Sequence, residues 1–226
     1  MRQAIARRMA QSKREAPHYY LLLHIDMTSA LETRGQYNEA IASGDIAAAP
    51  DTKASINDML VRATALALTK YPEFNATIDE AGAVTEHPQQ NICIGIALDD
   101  GLIAPAILDA GSKSLTQVAA ETKDLIARAK ASRMKPQELN DGTFTITNLR
   151  AYGVETLIGI IQPPQTAILG AGSVMPRPVV RDGQVAVRQM MKVALSADHR
   201  ATDGAQGAQF LAELKRLLEN PVLLVV

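Results

Sequence analysis

The chain has 226 residues, 47% of them hydrophobic, and a chain of this length buries a full core without needing a disulfide or metal staple. Its 23 basic and 24 acidic residues leave a formal charge of −1 and form no basic run, which argues against a nucleic-acid partner. One cysteine rules out an internal disulfide framework and agrees with a reducing compartment; no stretch reaches the roughly 18 apolar residues of a membrane-spanning helix.

The opening MRQAIARRMAQSKREAPHYY has no apolar signal core. Ile5, Met9 and Ala10 predict a helix over residues 2–14, which Pro17 stops. YYLLLHIDM, from Tyr19, is rich in strand formers; Thr28 or Ser29 then offers an N-cap to a polar helix over 29–43, and GDIAAAPDT reads as a loop. Ser55 and Asp58 have capping-box spacing ahead of Ile56, Leu60, Ala63, Ala67 and Leu68, which share one face of a helix ending before Pro72. NICIGIAL predicts one strand with bulky Ile92, Ile94, Ile96 and Leu98 on one face and small Cys93, Gly95 and Ala97 on the other, where a backbone or ligand can approach closely. GLIAPAIL predicts a second strand broken by Pro105, followed by a helix over 114–131 with Leu115, Val118, Thr122, Leu125 and Ala129 near one side.

The later half predicts strands at TFTIT from Thr143, at TAILGAG from Thr166, through VVRDGQVAV with a hairpin signal at Asp182 and Gly183, and at KVALS. A helix follows from about Ala205 to Glu219, closed by Pro221. Strands mixed with helices predict an α/β (α+β) sandwich, without internal repeats or an interdomain linker. At the junction of the last strand and helix stands HRATDG, His199 to Gly204. Such junctions present side chains to ligands, although Asp203 as a helix N-cap and His199 as a polar loop residue explain the six residues equally well.

Six motifs in order decide between these. They are IARRMAQSKREAPHYYL, SINDMLVRATALALTKYPEFNA, DDGLIAPAI, GTFTITNLRAYGV, IIQPPQTAILGAG and LSADHRATDGAQGAQFLAELKRLLENP. With them the chain resembles, nearly end to end, the catalytic domain of the dihydrolipoamide acyltransferases, the core component of 2-oxo acid dehydrogenase complexes. The resemblance implies a chloramphenicol acetyltransferase-like sandwich, a mixed sheet covered by helices, built into homotrimers with active sites between subunits. Residues 1–226 then form one acyltransferase domain. No lipoyl domain, subunit-binding domain or Pro/Ala-rich linker is seen, so lipoyl arms outside this sequence are expected to deliver the acyl group. DTKA at 51–54 looks only superficially like a lipoylation turn, and Lys53 is not expected to be modified.

The family's catalytic histidine falls on His199. A thiol with a pKa of about 8.5 needs a base poised near neutrality, which imidazole supplies. The resemblance implies that His199 deprotonates coenzyme A for attack on acyl-dihydrolipoamide. The family's serine, the donor to the tetrahedral oxyanion, is replaced here by Thr147, which keeps the hydroxyl. Asp203 falls on the family's acidic position with an orienting, structural role. Asp198 and Arg200 pair with each other or with the first helix. Acetyl is the expected acyl group. Expected partners are the 2-oxo acid decarboxylase and the dihydrolipoamide dehydrogenase, in a bacterial cytoplasm or a mitochondrial matrix.

His18, His24 and His87 lack metal-ligand spacing and read as structural, no metal site is evident, and Cys93 reads as a packing residue. The glycines of LGAGS open no helix and bind no nucleotide, because Pro176 and Pro178 follow. Two rivals remain: a noncatalytic core or scaffold protein, and an acetyltransferase for a small free alcohol or amine. The closing LENPVLLVV ends in five apolar residues that need a pocket. The resemblance implies tails joining trimers into a hollow core; the alternative is a short final strand packed on its own domain.

Overall fold

The computed structural model describes residues 2–49, 52–98, 101–149, 153–181 and 183–225. Helix α1 (Arg2–Glu15) leads into strand β1 (His18–Asp26) and helix α2 (Thr28–Ser43). The predicted N-cap at Thr28 or Ser29 is not made. The carboxylate of Asp26 accepts from the hydroxyl of Thr28 at 2.6 Å and from its backbone N–H at 3.0 Å, so Thr28 closes a turn and enters the first helical position. Helix α3 (Ile56–Lys70) does carry the Ser55–Asp58 capping box and is buried around most of its circumference.

A small hairpin, β2 (Ala76–Ile78) with β3 (Val84–Glu86), was not foreseen from the sequence. The predicted strand over NICIGIAL is split at Gly95 into β4 (Ile92–Ile94) and β5 (Ile96–Leu98), which join different sheets. The side chains of β4 are buried on both faces, the bulky Ile92 and Ile94 on one and the small Cys93 on the other. β6 (Gly101–Ile103) pairs with β5, and Pro105 separates it from β7 (Ala106–Ile107). Helix α4 (Leu115–Lys130), capped by Ser114, buries Leu115, Val118, Thr122, Leu125 and Ala129, the predicted stripe. The short α5 (Pro136–Asn140) precedes β8 (Phe144–Asn148) and β9 (Ala167–Ala171).

β10 (Met175–Arg181) and β11 (Gln184–Asp198) form the predicted hairpin, in which Gly183 has φ 78°; Asp182 lies outside the described residues. KVALS is not a separate strand but the end of the 15-residue β11, which pairs with β10 at its start and with β1 and β9 further on. The main sheet runs β1-β11-β9-β8-β4-β7 with β10 alongside β11; β8 is parallel to both neighbours and the other pairs are antiparallel. Pro176 and Pro178 are tolerated because β10 pairs on one side only.

Helix α6 (Gly204–Glu219) lies against the sheet through Phe210, whose ring meets Phe144 of β8 at 6.0 Å and Phe74 at 4.9 Å. The glycines of LGAGS have a packing reason. A Cβ at Gly170 or Gly172 would stand 2.0 Å from the carbonyl oxygens of Leu157 and Glu155, so the chain at 155–157 lies directly on β9. The tail is not the short final strand of the alternative reading: it forms a helical turn, α7 (Val222–Val225), and Leu224 enters the domain's own core at 1% exposure while Val222 stays 60% exposed.

Candidate active site

Strand β8 presents Thr145 and Thr147 to a cavity of about 560 Å³. Two positions apart on one strand, the two threonines share a face. Thr145 donates to the side-chain oxygen of Gln165 at 2.6 Å, and Gln165 in turn donates to the Gly142 carbonyl at 3.1 Å and toward the Cys93 sulfur at 3.5 Å. Burial pushes the Cys93 thiol up, consistent with packing and not nucleophilic work. Apolar groups from α1 (Ile5, Met9), from β6 (Leu102) and from Leu157 and Ile158 complete the cavity, so Thr147 is a polar point in a largely apolar wall.

The floor contributed by residues 157–162 belongs to a stretch of irregular chain fixed from α1, β1 and β11. Ser196 of β11 donates to the Gly159 carbonyl at 2.7 Å, Ser12 of α1 to the Ile161 carbonyl at 2.6 Å, and Arg8 to the Pro163 carbonyl at 2.8 Å. The Ile161 N–H donates to His18 Nε2 at 3.2 Å, while His18 Nδ1 faces the Ala16 carbonyl at 2.8 Å. Gly95 borders this cavity and a second one of about 440 Å³, lined by Lys53, Ser55, Asn57 and Asn148 among others. A Cβ built on Gly95 would stand 3.8 Å from the Thr147 hydroxyl oxygen, so the small face predicted for NICIGIAL does border ligand-sized space.

His199 lines neither cavity. It stands exposed on the turn after β11, its N–H donating to the Pro17 carbonyl at 3.0 Å. Its imidazole meets the Tyr19 ring in a tilted edge contact, 5.1 Å between centroids at 61°, and makes no hydrogen bond among the described residues. Asp198 and Arg200 pair with each other: the guanidinium binds the 2%-exposed carboxylate through two nitrogens at 2.7 and 3.0 Å. Asp203 is the N-cap of α6, accepting from the N–H groups of Ala205 and Gln206 at 2.8 and 2.9 Å, with Gln206 reciprocating.

Strand register separates the two proposed catalytic groups. Thr147 is level with Gly170, and Gly170 with Ala194, two strands over and five residues before His199. Five residues span roughly 16 Å and two strand spacings about 10 Å. Groups that act on one reacting carbonyl must come within about 3 Å of it, so a single chain does not bring His199 to Thr147. Sequence reasoning also missed Tyr19, which faces His199 because β1 pairs with the end of β11; that pairing is nonlocal and leaves no local signal.

The family profile described as 2-oxoacid dehydrogenases acyltransferase (catalytic domain) matches residues 1–226. The chain belongs to this family. The dihydrolipoyllysine-residue acetyltransferase component of the pyruvate dehydrogenase complex of Rickettsia felis is 36% identical over all 226 residues, which make up 53% of that protein. The chain thus spans about half the length of the curated relatives it matches. A solved structure of Azotobacter vinelandii dihydrolipoamide acetyltransferase, concerned with the role of a serine, a histidine and an asparagine in its catalytic mechanism, matches with TM-score 0.90 at 27% identity, covering 99% of this chain and 90% of that one. The cubic core of a pyruvate dehydrogenase multienzyme complex matches at the same values. Chloramphenicol acetyltransferase, at 16% identity, TM-score 0.56 and 94% coverage of each chain, shares the fold. The expected acyltransferase sandwich is therefore the family's fold, seen in this chain.

Proposed function

We propose that this domain transfers an acyl group, acetyl in the first instance, between dihydrolipoamide and coenzyme A as the core of a 2-oxo acid dehydrogenase complex. The observation that carries the reading is a spacing. In the Azotobacter enzyme the serine lies 52 residues before the histidine and the asparagine four after it; Thr147, His199 and Asp203 keep both intervals, with threonine for serine and aspartate for asparagine. In this reading His199 takes the proton of the coenzyme A thiol, and the thiolate adds to the thioester carbonyl of acyl-dihydrolipoamide. The Thr147 hydroxyl donates to the oxyanion. Collapse expels the dihydrolipoamide thiolate, which regains the proton from the imidazolium. Asp203, engaged by the helix start, holds the turn and moves no proton.

The separation of Thr147 from His199 supports a site completed between subunits of a homotrimer, His199 entering the cavity of its neighbour. A second surface supports self-association. On the β10–β11 ribbon Val180 and Val187 are 76% and 71% exposed, and with Pro178 and Val185 they form one apolar face, since Val180 opposes Val185 and Pro178 opposes Val187. Trimers would build the hollow core, to which the decarboxylase and the dihydrolipoamide dehydrogenase bind. One hydrophobic cluster reaching from Ile25 to Leu224 supports reading residues 1–226 as a single catalytic domain, with the lipoyl group carried outside it. Among the described residues no helix is long and apolar enough to cross a membrane and no cluster of His, Cys, Asp or Glu could hold a metal ion. On the strength of bacterial and mitochondrial relatives, we assign the domain to a bacterial cytoplasm or mitochondrial matrix.

Incubation with acetyl-CoA and dihydrolipoamide tests the reading through thioester formation. No turnover in correctly assembled protein would favour a scaffold, and turnover only with small free alcohols or amines would favour the other rival. Comparing kcat/KM for acetyl-, isobutyryl- and succinyl-CoA tests the acyl group, because one methylene changes binding by only about 1–3 kcal/mol.

A further inference from the structure

We infer that Tyr19 is a positioning residue for His199, a role that rests on the reading of His199 as the base. His199 is exposed on a turn, and its imidazole finds no hydrogen-bond partner among the described residues. An unheld imidazole would rotate freely about its side-chain bonds, whereas a base must meet the thiol within hydrogen-bond reach and in line. The Tyr19 ring is the aromatic surface against it, at 5.1 Å and 61°, the edge-on arrangement that aromatic rings prefer.

The same side chain also holds the turn on which His199 sits. The Tyr19 hydroxyl donates to the Asp203 carbonyl at 2.8 Å and lies 2.9 Å from the Thr202 hydroxyl, which is then free to donate to the phenol oxygen. Two residues of β1 and its approach thus grip His199 to Asp203 through three contacts: the Pro17 carbonyl takes the His199 N–H, the Tyr19 ring meets the imidazole, and the phenol reaches the far end of the turn. Burial raises the phenol, which therefore keeps its proton and its donor role. Helix α6 leaves space for this arrangement, since a Cβ at Gly207 would lie 3.0 Å from the Tyr19 hydroxyl and 2.8 Å from Leu21 Cδ1. Tyr19 does not line the Thr147 cavity, and the one β1 residue tied to its floor is His18, so the contribution of Tyr19 is expected to reach the reaction through His199.

The experiment compares Tyr19→Leu, Tyr19→Phe and Thr202→Val with the parent, each as the assembled protein, and repeats Tyr19→Leu in a His199→Ala background. Tyr19→Leu is expected to lower kcat about tenfold or more, the scale of a small misplacement of a reacting group, with KM for coenzyme A within about twofold. The acid limb of its pH profile should move. Tyr19→Phe keeps the ring and should lose less; Thr202→Val should resemble it. With His199 already removed, Tyr19→Leu should lower the residual rate no further, because a residue acting through His199 has nothing left to position. A loss that persists undiminished in the His199→Ala background, or a kcat within about twofold of parent in Tyr19→Leu, overturns the inference. If Tyr19→Leu does not assemble, unchanged kcat in both Tyr19→Phe and Thr202→Val overturns it. Full activity of His199→Ala alone would instead sink the function on which the inference stands, so the two failures are told apart.

Discussion

Thr147 and His199, the two groups proposed to meet at one thioester, are housed in opposite ways. Thr147 is held by a strand with parallel partners on both sides, in the wall of an apolar cavity, where a hydroxyl finds little competing water. His199 is held by a turn, exposed, through one backbone hydrogen bond and one ring contact. An oxyanion donor works best preorganised in a dry wall, because it then costs no reorganisation when charge develops. A base that must reach into another subunit's cavity has to project from a surface. The contrast is what a site divided between identical chains requires of each half.

Two substitutions press on this contrast hardest. Thr147→Ala should lower kcat about a hundred- to thousand-fold with assembly intact, and Thr147→Ser should stay active; an unchanged kcat in the alanine variant removes the oxyanion role. His199→Ala should cost at least about a hundred-fold, the lower end for lost general-base catalysis. Mixing these two inactive proteins under conditions of subunit exchange sharpens the comparison. If each site takes His199 from one chain and Thr147 from the next, random mixing at equal amounts makes about a quarter of the interfaces whole, and about that share of parent activity returns. No recovery in demonstrably mixed oligomers would mean that one chain supplies both groups after a rearrangement of the turn.

A smaller effect is expected at the chain's end, where the sequence invited an intermolecular reading. Leu224 lies in its own domain's core, so Leu224→Ala should destabilise the folded domain by about 2–5 kcal/mol, read as a lower midpoint of denaturant unfolding. Val222→Ala, at an exposed position, should leave that midpoint within about 0.5 kcal/mol and serves as its control. Equal sensitivity at the two positions would return the tail to the interface between trimers.

What could be read from the sequence follows the range of the interactions. Ser55, Asp58 and the stripe on α4 are local signals and appear as expected, because a capping box or a 3.6-residue period is complete within a few residues. The split at Gly95 and the fusion of KVALS into β11 are set by which strands pair, information carried by residues far along the chain: Ile92 of β4 pairs with Phe144 of β8, and Val193 of β11 with Ala171 of β9. The site divides likewise. Thr147, His199 and Asp203 stand as candidates because ordered motifs single them out, whereas the contact of Tyr19 with His199 and the seating of residues 155–157 on Gly170 and Gly172 exist only once the sheet has formed.

The smallest predicted effect concerns the floor of the Thr147 cavity and its tie to β1. His18 Nε2 accepts from the Ile161 N–H, which requires the neutral ring with its proton on Nδ1, directed at the Ala16 carbonyl. Burial chiefly, helped by nearby Lys13, lowers the His18 pKa below the usual 6.5, while the Ala16 hydrogen bond and Asp198 oppose the change; the Tyr20 ring lies 5.9 Å away. Between the lowered folded value and 6.5 the unfolded chain binds more protons than the folded one. The contribution to stability is therefore complete above pH 6.5 and is lost as pH falls through the folded value. A protonated Nε2 would point its hydrogen at the Ile161 N–H, donor against donor, so acid should loosen the segment that floors the cavity as well as lower the melting temperature. His18→Gln offers an acceptor that does not titrate in this range. Melting temperatures measured from pH 7.5 to 5.5 should fall more steeply in the parent than in His18→Gln, by about 2 °C over the interval for a domain of this size. KM should rise at the acid end in the parent alone. Parallel melting curves for the two proteins would show that the tie between His18 and Ile161 does not respond to protonation.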